Sequence, residues 1–258
     1  MNPYIQRKII KRQGTSSEER EDPVAVEKRL KVSVNGKDFI TLYCTPLMIK
    51  ELVVGLFLTE GIITEIRPED MKIEYGEEIR IDIRVTGDAS TEGMITSRCI
   101  GGITLGEKRN FEKVEDDFFL ETGTLKGIFD EFQQRSELFR LTGCFHGAAL
   151  SDGKKILVFA EDIGRHNTVD KVIGYSILEN IPFKRKIMLV SCRLSLEIVS
   201  KCSRWGIPIV ASRAAPTDLA IRIAEISGIT LVGFVRGDCM NIYANPQRIL
   251  QKTPNPKP

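Results

Sequence analysis

Hydrophobic and polar positions alternate with a period of two through much of the first part of the chain. In "AVEKRLKVSVNG" and "MKIEYGEEIRIDIRV" the apolar positions Leu30, Val32, Val34, Ile79, Ile81 and Ile83 fall on every second residue, which predicts strands with one buried face. Asn35-Gly36 separates the first of these from "DFITLYC", and both residues tolerate positive φ, so a β-hairpin is expected there. Between the strands the period changes. In "PLMIKELVVGLFLTEG" the residues Met48, Ile49, Leu52, Val53, Leu56 and Phe57 recur at helical spacing, with Pro46 as a start and Gly61 as a stop. The polar run "GTSSEEREDP", Gly14 to Pro23, is expected to be an exposed loop.

The second half has another rhythm. One helix is predicted around Leu125 to Leu141, with Ile128, Phe132, Leu138 and Phe139 on its apolar face. "HGAAL" and "KILVFA" then flank a turn at Ser151-Asp152-Gly153. Beyond them, continuous apolar strands ("KIMLVSC", "IPIVAS", "ITLVGFV") alternate with amphipathic segments ("LSLEIVSKCSRW", "PTDLAIRIAEIS"). Such alternation requires a parallel sheet with crossover helices, so one hairpin plus three parallel strands is expected. The reading is an α/β chain in two parts: a smaller strand-rich α+β domain over residues 1–120, and an α/β domain over residues 121–258 whose proline- and lysine-rich tail frays.

Composition narrows the class without defining it. The chain has 258 residues, is 42% apolar and carries a net charge of +2, too little to imply a nucleic-acid partner. No apolar run is long enough to span a bilayer and no signal peptide is legible, so the expected address is the cytoplasm. Six scattered cysteines do not form a disulfide framework and read as free thiols.

The candidate chemistry lies at strand ends. Ligands of open parallel sheets bind outside the carboxyl ends of the strands, where loops meet helix N-termini. Here those positions hold Asp162, Arg165, His166 and Asn167; Ser191, Cys192, Arg193 and Ser195; Ser212, Arg213 and Thr217; and Arg236 and Asp238. Each of the four strands is followed by an arginine, whose fork of donors suits phosphate oxygens, so a ligand carrying several phosphates is expected. The competing reading pairs each arginine with a neighbouring acid, such as Asp162, Glu197, Asp218 or Asp238. Of the two histidines, His146 reads equally well as a satisfied core residue, whereas His166 sits in a polar cluster at a helix start and faces a ligand as a donor or a general acid and base.

The element order resembles the cytidine-deaminase fold, with a mixed sheet of a hairpin plus parallel strands. Zinc deaminases need a histidine followed two residues later by glutamate, then P-C-x-x-C. Thr168 and Ser195 stand where the glutamate and one thiolate would be, so no zinc is expected.

"EDIGRHNTVDKVIG", "SCRLSLEIVSKCSRWGIPIVASRAAPTDLAIRIAE", "LVGFVRGDCMNIY" and "TGCFHGAALSDG" closely resemble stretches of the formate dehydrogenase accessory proteins of the FdhD family. The resemblance implies a sulfurtransferase that receives sulfur from a cysteine desulfurase as a persulfide. The sulfur then passes to the molybdenum cofactor of formate dehydrogenase, a bis-molybdopterin guanine dinucleotide. It also implies that Cys99 in "TSRCIGGITLG" carries the persulfide. It implies further that the cofactor-binding run is Phe234, Val235, Arg236, Gly237, Asp238 and Cys239, and the strand-end residues Arg165, His166, Asn167, Arg193, Ser195 and Arg213 are expected to bind the same ligand. Arg98 and Gly101-Gly102 suit a nucleophilic thiolate on a pliable backbone. Gly102 stands where many relatives have the second cysteine of a C-x-x-C pair, so a second thiol would have to come from elsewhere, with Cys192 and Cys239 as candidates. A module that binds and delivers the cofactor without sulfur transfer is the alternative. A homodimer is possible.

Overall fold

The computed structural model describes residues 1–85 and 113–251. Strands β1 (Tyr4–Gln13) and β2 (Ser16–Ala25) form an exposed antiparallel ribbon that turns at Gly14, φ 62°. The stretch expected as a loop is therefore mostly strand. Its pattern hides this because neither face covers a core, so apolar alternation has no cause. Instead Arg7, Lys8 and Lys11 stand opposite Asp22, Glu21 and Glu18.

The alternating segments form β3 (Lys28–Val34), β4 (Lys37–Cys44), β5 (Met71–Tyr75) and β6 (Ile79–Ile83), in the sheet order β4-β3-β6-β5. Asn35 and Gly36 make the expected turn with φ of 50° and 76°. Helix α1 (Ile49–Thr59) supplies the crossover between parallel β3 and β6. It begins at Ile49 rather than at Pro46, because Met48 adopts a left-handed N-cap conformation. Leu30, Val32, Ile79 and Ile81 meet Leu52, Val53 and Phe57 in one core cluster. Helix α1 is buried on its other side as well, which explains why Val54 and Leu58 are also apolar.

The short strand β7 (Leu120–Glu121) leads into α2 (Thr122–Gln134) and α3 (Glu137–Thr142). One helix was expected here. Ser136 leaves helical geometry at φ −76°, ψ 69° and splits it in two. Next come β8 (His146–Ser151), β9 (Ile156–Asp162), α4 (Arg165–Leu178), β10 (Ile187–Val190), α5 (Leu196–Arg204), β11 (Ile209–Ser212), α6 (Asp218–Ser227), β12 (Thr230–Arg236), β13 (Cys239–Ala244) and β14 (Ile249–Leu250), the last paired with β7. The large sheet has the order β13-β12-β11-β10-β8-β9. Strands β10, β11 and β12 are parallel, and the β8–β9 hairpin lies antiparallel beside β10, as the alternation predicts. Strand β13 is an addition. The residues expected as a loop after the last strand turn tightly at Gly237-Asp238 and return as a sixth, antiparallel strand.

Helices α4, α5 and α6 cover one face through Val172, Ile198 and Ala224, while α2 covers the other through Leu125, Phe129 and Phe132. The result is a mixed α/β fold. The smaller sheet joins it where α1 crosses α4. None of the described helices is long and apolar enough to cross a membrane.

Candidate functional site

Since β9 runs parallel in direction to β10, β11 and β12, the carboxyl ends of all four strands share one edge, together with the start of β8. The fold thereby gathers Arg165, Arg193, Arg213 and Arg236 along that edge, with His146 at the mouth of β8 opposite Asp162. Among the described residues none of these four guanidinium groups makes an ion pair with an acid. The acids proposed as their partners are otherwise engaged or apart: Asp162 bonds Lys171 at 2.5 Å, Asp238 pairs with Lys126, and Glu197 faces His166. Arg236 instead donates to the Arg213 carbonyl at 3.1 Å and lies over the Phe234 ring. Arg193, Arg213 and Arg236 are exposed.

Two expected ligand residues have other neighbours. Asn167 donates its amide to Asp162 at 2.9 Å and to the Tyr43 carbonyl at 3.0 Å. Its side chain thus helps a buried knot in which Asp162 also accepts from the Thr45 and Gly164 backbone N–H groups. Val235 is 2% exposed and packs in the core beneath the edge, so it offers no side chain to a ligand there. Phe234 sits at φ 52° in an irregularity of β12, where a non-glycine residue is strained and the strand is re-aimed. Gly237 and Asp238 form the turn and Cys239 opens β13, exposed.

His166, in the first turn of α4, is 5% exposed, and neither of its ring nitrogens makes a hydrogen bond among the described residues. Its Nε2 lies 3.8 Å from a Glu197 carboxylate oxygen in the first turn of α5, beside Ser195. Burial, reinforced by the positive charges of Lys201 and Arg165, pushes its pKa down to about 3. The imidazole is neutral at physiological pH and offers one donor and one acceptor. Burial likewise lowers His146, with Arg165 adding to the effect. For Glu197 burial works upward, but a backbone N–H and the positive charge of Arg165 help to hold it below the ordinary carboxylate range.

Below the same edge, on the α2 side of the sheet, lies a cavity of about 460 Å³. Phe129, Phe132, Phe139 and Phe145 form its apolar wall, and Arg140, His146, Ser191 and Arg213 bring polar groups to it. The break between α2 and α3 shapes it. Glu161, at the end of β9, accepts from the Leu138 and Phe139 backbone N–H groups at 3.1 and 2.9 Å and anchors α3 over the opening. A mutual pair of bonds, Gly147 N–H to Ser191 Oγ and Ser191 N–H to the Gly147 carbonyl, ties β8 to the end of β10. Sequence reasoning missed Ser136, Arg140 and Cys144 as site residues. Their only signal was the interrupted helical pattern before "TGCFHGAAL".

The thiols differ sharply in setting. Cys44 and Cys192 are buried and their pKa values are pushed up to about 12 by desolvation, and burial raises Cys202 further still. Cys192 is therefore no candidate for a reactive second thiol at neutral pH. Cys144 and Cys239 are exposed. Cys99, with Arg98, Gly101 and Gly102, lies outside the described residues.

A sequence profile described as the FdhD/NarQ family matches residues 25–250. The protein named sulfur carrier protein FdhD from Bacillus pumilus (strain SAFR-032) is 36% identical, with 97% of this chain and 100% of that protein covered. The protein of the same name from Bacillus subtilis (strain 168) is also 36% identical, over 89% of this chain and 91% of its own. Among solved structures, a protein from Desulfotalea psychrophila assigned as a formate dehydrogenase accessory protein superposes with a TM-score of 0.81 at 27% identity, covering 96% of this chain and 100% of the other.

Proposed function

The chain belongs to the FdhD/NarQ family, and on that premise we propose that it is a sulfur carrier serving formate dehydrogenase. In this reading Cys99 takes sulfur from a cysteine desulfurase and delivers it to a bis-molybdopterin guanine dinucleotide held at the arginine edge. The observation that carries the binding half is the set of four guanidinium groups at one sheet edge without an acidic partner among the described residues. Unneutralised arginines at helix-rich strand ends favour a polyphosphate anion. Neutral His166 adds a donor and an acceptor beside them, and the aromatic cavity offers a flat apolar wall to a ring system.

The sulfur half rests on thiol chemistry. The Cys99 thiolate attacks the outer sulfur of the desulfurase persulfide, the S–S bond of the donor breaks, and the desulfurase leaves as a thiolate. The sulfur moves with its electrons balanced, and no oxidant is required. Arg98 beside the thiol favours the thiolate.

Intact-protein mass spectrometry after incubation with a cysteine desulfurase and free cysteine tests this reading. The expected result is a gain of one sulfur, about 32 Da, lost on reduction and absent from Cys99→Ala. In cells lacking the accessory protein, both Cys99→Ala and Arg236→Ala are expected to fail to restore formate dehydrogenase activity. Full restoration by Cys99→Ala together with failure of Arg236→Ala would leave cofactor delivery without sulfur transfer as the function.

A further inference from the structure

We infer that the cavity under α2 and α3 receives the oxo edge of a guanine or pterin ring, with Arg140 as the residue that reads it; this rests on the cofactor-binding half of the reading above. The cavity, of about 460 Å³, has room for a bicyclic ring and meets the arginine edge at Arg213, which belongs to both. A ligand whose phosphates lie along that edge has a recess for its ring within reach. Phe132, Phe139 and Phe145 supply apolar faces for stacking. Gly147 has no positive φ that would call for glycine, and a Cβ there would touch the Phe132 ring and the Ser136 hydroxyl at 3.4 Å. The missing side chain keeps that part of the cavity open.

The charge of the wall selects which edge of the ring it takes. Arg140 and Arg213 are part of that wall, and no acid is found among the described residues that line it. Nη1 of Arg140 donates to the Gln133 and Gln134 carbonyls at 3.4 and 2.5 Å, at the end of α2. These bonds fix the guanidinium and leave its Nε–Nη2 side to a ligand. Ser191 Oγ accepts from the Gly147 N–H at 2.9 Å, so its own proton is available to an acceptor. His146, shifted toward its neutral form by burial, adds a ring N–H to the same wall.

A wall rich in donors without a carboxylate suits a ring edge with adjacent acceptors. Guanine carries O6 beside N7 and pterin carries O4 beside N5, and a guanidinium grips such a pair with two parallel bonds. Adenine places an amino group where guanine has its oxygen, so donor would face donor and the ring is refused. The guanine 2-amino group lies on another edge and takes no part in this choice.

Calorimetry of the full-length protein with GDP, inosine diphosphate, ADP and neopterin, joined to the rate at which iodoacetamide alkylates Cys144, tests this. Cys144 is exposed on the cavity wall, so its tryptic peptide, residues 141–154, reports whether the cavity is occupied. GDP and inosine diphosphate share O6 and N7 and are expected to bind within about twofold of each other and about tenfold or more tighter than ADP. Arg140→Met is expected to weaken GDP about tenfold and to leave ADP unchanged, whereas a merely structural loss would weaken both. Slower alkylation of Cys144 with GDP assigns the cavity to the guanine, and slower alkylation with neopterin alone assigns it to the pterin. ADP binding as tightly as GDP, or GDP binding while neither GDP nor neopterin slows the alkylation of Cys144, overturns the inference and leaves the arginine edge as the cofactor site. Failure of both GDP and neopterin to bind overturns the inference together with the cofactor-binding reading.

Discussion

A neutral imidazole buried between two helix starts has a cost that pH exposes. In the unfolded chain a histidine titrates near its ordinary value of about 6.5, whereas folded His166 does so at about 3. Between these values the unfolded state binds the extra proton, so stability rises with pH across that window and is lost as pH falls through it. His166→Gln removes this one contribution while leaving the acids common to both proteins. The urea midpoint of the wild type is therefore expected to fall more steeply than that of His166→Gln between about pH 7 and about pH 4.5. Parallel curves would mean that the ring is already protonated or otherwise satisfied. Single residues show how far the sequence reached. The four arginines and His166 were legible because strand ends can be located by pattern. That Asn167 bonds Asp162 and Tyr43, or that Ser136 opens onto a cavity, was not, because each contact joins positions far apart in the chain.

Helices α1 and α4 meet more closely than ordinary side chains permit. A Cβ on Gly55 would lie 1.9 Å from the Asp170 carbonyl oxygen, and one on Gly174 would lie 1.9 Å from the Glu51 carbonyl oxygen. Each glycine is helical, where alanine would normally be favoured by about 1 kcal/mol. Here the backbone on the other side cannot yield, so overpacking reverses the sign. Gly55→Ala is expected to destabilise the protein by about 3 kcal/mol or more, measured as a lower denaturant midpoint. A neutral or stabilising result would show that the helices separate easily. In the sequence nothing singles out Gly55 in "VVGLFL", and Gly14 to Pro23, most of β2, was expected as a loop. The two share one cause: local pattern records which face is buried, and these features depend on what a distant part of the chain places against them, or on there being no core to cover.

At the scale of the molecule, the smaller sheet and the large one are joined by buried charge as well as by apolar contact. Lys201 of α5 bonds both oxygens of Asp170 on α4 at 2.6 Å and reaches Glu60, after α1, at 3.2 Å, while Thr59 donates to Asp170 at 2.9 Å. Burial opposes the charge on Lys201, and the Asp170 and Glu60 carboxylates more than restore it. Burial pushes Asp170 up to about 6, with Lys201 working against that rise. Lys201→Met strands the carboxylates and is expected to cost about 3–5 kcal/mol. Adding Asp170→Asn recovers part of that loss, so a double-mutant cycle in urea reads a coupling rather than a sum. Additive losses would show that the pair does not interact. By itself the sequence determined the alternating strands, the Asn35-Gly36 turn, the parallel alternation of the second half and the arginines at its strand ends, because periodicity and turn chemistry act between near neighbours. Only the tertiary structure decided which acids those arginines avoid, that α2 and α3 part to leave a cavity, and which cysteines are sealed or open. Burial, ion pairing and empty space are properties of surfaces brought together from separate parts of the chain.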